Sequence, residues 1–126
     1  MDASGETTFR LRRQTAGRGR FAEVTVRVEA ARQNGVVVSD RAFAWRLDAY
    51  GPDAVFGGAF DAEPAREAVD GLWAALRARG EAAPSVLVSV ARIVESYADT
   101  GPGDIRFAAE QAVLRALGRE PGGQQG

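Results

Sequence analysis

The stretch FAEVTVRVEA, Phe21–Ala30, constrains the fold more than any other part of the chain. Val24, Val26 and Val28 alternate with Glu23, Thr25, Arg27 and Glu29. Successive side chains of an extended backbone point to opposite faces, so the valines line one face and the polar residues the other. Such a strand lays one face on a core and leaves the other to water, as in a sheet covered on one side.

The flanking segments extend that pattern. TFRLRR, Thr8–Arg13, alternates and predicts a preceding strand. QNG, Gln33–Gly35, is a turn signal, since Asn-Gly accepts positive φ. VVVSDRAFAWRL, Val36–Leu47, reads as a third extended segment, which predicts an antiparallel meander. Asp48–Pro64 reads as irregular. A helix is predicted over Pro64–Arg79, with Pro64 in its first turn and Gly80 past its end. Ala65, Val69, Leu72 and Leu76 form its core stripe, flanked by Trp73.

APSVLVSVARIVE, Ala83–Glu95, carries apolar residues on both faces. Val86, Val88 and Val90 oppose Leu87, Ala91 and Ile93, as expected of a central strand under helices. After a loop at Ser96–Asp104, a second helix is predicted over Asp104–Leu117, with Gly118 as terminator. The order β-β-β-α-β-α predicts an α+β two-layer sandwich: a four-stranded sheet with two helices on one face. The 126 residues fit one domain, with a core over about 8–117 and tails at 1–6 and 119–126.

Absences narrow the chemistry. The chain has no histidine and no cysteine, and all sixteen basic residues are arginine. Ser-His-Asp and Cys-His arrangements, disulfides and the usual zinc sites are therefore excluded. Without lysine there is neither a P-loop nor a Schiff base. An enzyme is hard to build from this set, and no cofactor, nucleotide or metal is expected. No apolar run approaches the ~20 residues that span a bilayer, and the polar start MDASGETTF is no secretory signal. A cytoplasmic location is the default expectation.

The net charge of −1 is unevenly spread. Thr7–Ala22 holds Arg10, Arg12, Arg13, Arg18 and Arg20 and no acid. Asp48–Asp70 holds six acids (Asp48, Asp53, Asp61, Glu63, Glu67 and Asp70) against Arg66 alone. A basic end and an acidic flank follow. In RQTAGRGRF, Arg13–Phe21, arginine forks and the amides of a glycine turn suit phosphate, and Phe21 suits a base. A tight hairpin with solvated arginines explains the same residues. In ADTGPGDI, Ala98–Ile105, a helix N-terminus suits phosphate too. Capping by Thr100 or Asp104 is the plainer reading, because Asp99 and Asp104 would repel a phosphate there.

Three anchors resemble domain IV of translation elongation factor G. RQTAGRGRFAEVTVRVE (Arg13–Glu29) is similar to the family's Arg-Gln-Thr-Gly-Gly-Arg-Gly turn and following strand. AVDGLWAALRARG (Ala68–Gly80) is similar to its first helix. ESYADTGPGDIRFAAEQAVLRAL (Glu95–Leu117) is similar to its tip loop and last helix. The resemblance spans about Thr8–Leu117. It implies the fold of the second domain of ribosomal protein S5, with a βαβ crossover of the rarer left hand, against the usual rule.

In the family this domain is an arm without GTPase activity, whose tip enters the ribosomal decoding centre. The resemblance therefore implies a tip at Ala16–Ala22 and Tyr97–Asp104. Candidate contacts are Arg13, Arg18, Gly19, Arg20, Phe21, Tyr97, Ala98 and Asp99. The tip departs from the family at Arg20–Glu23, at Ala98 where the family has histidine, and at Gly101–Asp104. Two expectations stand together. One is a stand-alone, non-catalytic accessory protein that binds RNA or the ribosome. The other is a protein-interaction or homodimerising module that kept the scaffold and lost RNA binding.

Overall fold

The structure is a computed structural model and describes residues 5–15 and 18–118, with the side chains of Thr15 and Arg18 left out. Four strands form one sheet: β1 (Glu6–Thr15), β2 (Arg18–Ala30), β3 (Gly35–Val38) and β4 (Val86–Val94). A short helix α1 (Trp45–Tyr50) follows β3, and two long helices, α2 (Ala62–Arg79) and α3 (Asp104–Gly118), cover one face. The α+β two-layer sandwich expected from the sequence is the architecture found.

The meander is not. The spatial order is β1-β2-β4-β3, so β4 is inserted between β2 and β3. β4 runs antiparallel to β2 and parallel to β3. The Asn-Gly signal therefore marks a connection that passes over β4 rather than a hairpin. Ala31 N–H donates to Ser85 O at 3.2 Å, and Val86 N–H donates to the Asn34 side-chain oxygen at 2.9 Å, so the connection is fastened to the start of β4.

The third extended segment is also shorter than expected. β3 ends at Val38; turns at 40–44 and α1 replace the rest. Ser39 N–H still donates to Val90 O, and Ile93 N–H to Ala42 O, both at 2.9 Å. The turns thus satisfy the exposed edge of β4 without a ladder, and Ala42 and Phe43 are buried by packing. β1 begins at Glu6 rather than after it. Within 48–64, expected to be irregular, lie the end of α1, a 3-10 turn at Ala59–Asp61 and the start of α2 at Ala62.

Register explains the core. Phe9 and Leu11 of β1 oppose Val24 and Ala22 of β2; Val24 and Val26 oppose Ile93 and Val90 of β4. Across β4, Val88 and Val90 oppose Val36 and Val38. Ile93 and Val90 both face inward because the register shifts between Thr25 and Val26, leaving Ala91 as an extra residue. The sequence expectation that Ile93 opposes the valines is corrected by that bulge.

α3 packs over β1 and β2, and α2 over β3 and β4. The buried face of α2 is Ala68, Gly71, Leu72, Ala75 and Leu76, rotated from the expected stripe. Ala65 and Val69 are only half-buried. The small residues let α2 close on α3: a Cβ on Gly71 would strike the Arg106 carbonyl and lie 3.1 Å from Ala109 Cβ.

Arg46 clasps the irregular segment. Its guanidinium is 2.9 Å from buried Asp61 at the start of α2 and 2.8 Å from Glu95 beyond β4. It also lies 4.7 Å from the centre of the Phe43 ring. Opposite charges and an aromatic face hold one arginine in a fixed place.

Candidate functional site

Two loops meet at one end of the sheet: the end of the β1–β2 hairpin and the loop from Ser96 to Gly103. Phe21 N–H donates to Asp99 O at 3.1 Å, and the Thr100 hydroxyl donates to Phe21 O at 2.6 Å. The same hydroxyl accepts from Ser96 N–H at 2.7 Å. Both polar groups of the Phe21 backbone are thus held by the opposing loop. Gly19 lies under Asp99: a Cβ there would come within 2.7 Å of an Asp99 carboxylate oxygen.

Arg20 fastens the hairpin to α3. Its guanidinium meets Asp104 Oδ1 through nitrogens at 2.9 and 2.8 Å. Asp104 Oδ2 accepts from Gly101 N–H at 2.8 Å. Asp104 is only 3% exposed, so its charge is met by a guanidinium and an amide rather than by water.

The first amides of α3 are met by Glu67 of α2, which accepts from Gly103 N–H at 3.2 Å and Arg106 N–H at 3.3 Å. Thr100, a capping candidate from sequence, is committed to Phe21 instead. Two carboxylates, Glu67 and Asp104, occupy this helix end and repel an anion there. The cap expected from Thr100 or Asp104 is thus supplied by Glu67 from α2, outside ADTGPGDI.

On the sheet face away from the helices, β1 and β2 form a ladder of complementary pairs. Glu6 meets Arg27 at 2.8 Å, Thr8 meets Thr25 at 2.7 Å, and Arg10 meets Glu23 at 2.8 Å. The next rung toward the tip sets Arg12 opposite Phe21, and the carboxylates stop. A cleft of about 880 Å³ opens here, lined by Arg10, Arg12, Arg13, Arg20 and Arg92 against the two carboxylates Glu23 and Asp99. Arg12, Arg13 and Arg92 are exposed and have no ion-pair partner among the described residues. Five arginines against two carboxylates leave a surplus of positive charge around a concave surface, which focuses a field there even on a chain whose net charge is −1.

Of the residues named from sequence, Arg13, Gly19, Arg20, Phe21 and Asp99 line this one cleft. Tyr97 and Ala98 are exposed on the neighbouring loop, and Tyr97 borders a smaller pocket beside α1. Arg18 opens β2, but its side chain, like Ala16 and Gly17, lies outside the described residues. Arg92 was missed by the sequence reading. Its signal was present: it is the one charged residue inside the apolar strand VLVSVARIV.

Among the described residues, no group of three or more acids, histidines or cysteines is placed to hold a metal ion. No helix among them is long and apolar enough to cross a membrane.

No family model matches the chain, and no curated protein matches it in sequence. Solved structures do match it in fold. A crystal structure of a protein from Thermus thermophilus superposes with a TM-score of 0.57 and 17% identity over 85% of this chain. The chain spans 14% of the length of that protein.

Proposed function

We propose that the chain is a non-catalytic RNA-binding module, built like domain IV of elongation factor G, that meets ribosomal RNA through its arginine cleft. One observation carries the reading. The cross-strand ladder is charge-balanced as far as Arg10–Glu23, then leaves Arg12, Arg13 and Arg92 around the cleft without an ion-pair partner among the described residues. Arginine forks at a concave surface suit phosphate oxygens. Phe21, at the same cleft, suits the face of an unstacked base. The fold likeness and the clamped hairpin support the resemblance; the changed tip residues make recognition of backbone, rather than of a fixed RNA sequence, the better fit.

Ribosome co-sedimentation at low and high salt tests this. The chain is expected in the pellet at low salt and in the supernatant at high salt, because phosphate contacts are lost to counterions. A chain that stays in the supernatant at low salt refutes it.

A second reading, a protein-interaction module, is favoured by exposed apolar side chains on the clasped segment. Phe60 is 92% exposed and Val55 76%. It predicts concentration-dependent self-association or partner capture that survives high salt, and a strict monomer indifferent to partners counts against it.

A further inference from the structure

A second cavity of about 350 Å³ lies beside the first, walled by Trp45 and Tyr50 of α1, by Tyr97, and by Glu95, Ser96 and Thr100. Ser96 lines both cavities, so a strand of RNA in the cleft passes its rim. We infer that this pocket receives one nucleobase, held between its aromatic walls by an edge that sets a donor beside an acceptor. The inference rests on the RNA-binding reading above.

The walls are aromatic and one of them is fixed. Trp45 donates its indole N–H to Ile93 O, which locks the ring in place. Tyr50 lies with its ring centre 5.8 Å from that of Trp45. Tyr97 is wholly exposed at the rim, a side chain with no packing role to fulfil. Aromatic faces beside a phosphate-binding groove are how single-stranded nucleic acid is gripped.

The polar groups select the edge of the base. Glu95 Oε2 accepts from the Arg46 guanidinium at 2.8 Å, and Oε1 has no hydrogen-bond partner among the described residues. A carboxylate only accepts, so it suits an exocyclic amine. Arg46 neutralises the carboxylate, so an uncharged base enters without facing a bare anion. The Ser96 hydroxyl oxygen meets only Asp99 N–H, at a long 3.4 Å, and its own hydrogen is left to donate. An acceptor beside a donor matches the amine and adjacent ring nitrogen of adenine and cytosine. Uracil offers the same pair through its N3–H and a neighbouring carbonyl oxygen. Thr100 adds nothing here, because its hydroxyl is committed to Phe21 and Ser96.

Two measurements test this separately from the cleft. The indole N–H resonance of Trp45 is followed as adenosine, cytidine or uridine is added. All three are expected to shift it and ribose alone to leave it unmoved, whatever becomes of phosphate binding. In parallel, Tyr97→Ala is measured against oligoadenylate. Loss of a stacking partner is expected to weaken binding by about 5- to 100-fold, with the salt slope unchanged. Tyr97 is exposed, so the variant keeps its fold.

Nucleosides that leave Trp45 unshifted, or oligoadenylate bound by the variant as by wild type, overturn the pocket while salt-dependent binding keeps the cleft. Shifts from adenosine without salt-dependent oligonucleotide binding overturn the cleft and keep the pocket. Equal shifts from ribose overturn recognition of the base.

Discussion

Arg20→Ala should destabilise the fold and loosen the tip, because this arginine is a tie before it is a contact. Asp104 has a side chain 4% exposed and receives two guanidinium nitrogens; Arg20 is 39% exposed. A hydrogen bond to a charged group contributes ~1.5–3 kcal/mol, and stripping one partner from a buried pair costs ~3–5 kcal/mol. Here water reaches the Arg20 side of the pair and replaces part of what is lost. Asp104 Oδ2 also keeps the Gly101 amide. The cost is therefore smaller, about 2 kcal/mol, or roughly 6–8 °C in Tm for a domain of this size.

The assay is urea unfolding of wild type, Arg20→Ala, Asp104→Ala and the double variant. The cycle should return a coupling energy of about 1.5–2 kcal/mol. Hydrogen exchange should show the Gly101 and Phe21 amides losing protection before those of β4. A coupling below about 0.5 kcal/mol, within ordinary additivity, would refute the tie.

Two glycines predict opposite outcomes from the same substitution. Gly71→Ala drives a methyl group into the α3 backbone and should cost about 1–3 kcal/mol, outweighing the better helix propensity. Gly19→Ala meets only the end of an exposed Asp99 side chain, which can swing away, so its denaturation midpoint should stay within about 0.5 kcal/mol of wild type. Glu67→Ala removes the acceptor for the Gly103 and Arg106 amides and should cost about 1 kcal/mol in thermal unfolding.

Where local pattern and tertiary packing agree, the sequence is readable. Val24 and Val26 alternate because one face of β2 meets the helices. β4 is legible as a strand because Val86, Val88 and Val90 alternate and are buried under the helices. α3 is legible because Ile105, Ala108, Ala109, Ala112 and Val113 repeat at helical spacing and are all buried. The misread places are those where tertiary contacts stand in for regular structure. Val36–Leu47 looks extended because Ala42 and Phe43 must be buried, yet they are buried beside the edge of β4 without joining it. The Asn34–Gly35 signal is local and carries no record of the strand that arrives later between β2 and β3. The rotated face of α2 went unseen because a stripe of large residues overlooks Gly71 and Ala75, whose value lies in smallness.

The site divides in the same way. Gly19 and Phe21 were legible through a motif. The role of Arg20 was not, because Asp104 is 84 positions away. Arg92 joins the cleft only through its place opposite Thr25 on β2, a pairing set by the bulge. Trp45 and Tyr50 become walls of a pocket only through their position beside the tip loop, which no local pattern records.

The salt dependence of oligonucleotide binding tests the central claim most directly, comparing wild type with the triple variant Arg12→Ala/Arg13→Ala/Arg92→Ala. All three arginines are exposed and without an ion-pair partner among the described residues, so the variant should unfold as wild type does. Each phosphate contact on single-stranded RNA contributes ~0.7 to the slope of log K against log salt, so losing three should flatten it by about 2. An unchanged slope in a folded triple variant, or wild-type binding indifferent to salt, contradicts an RNA site in this cleft.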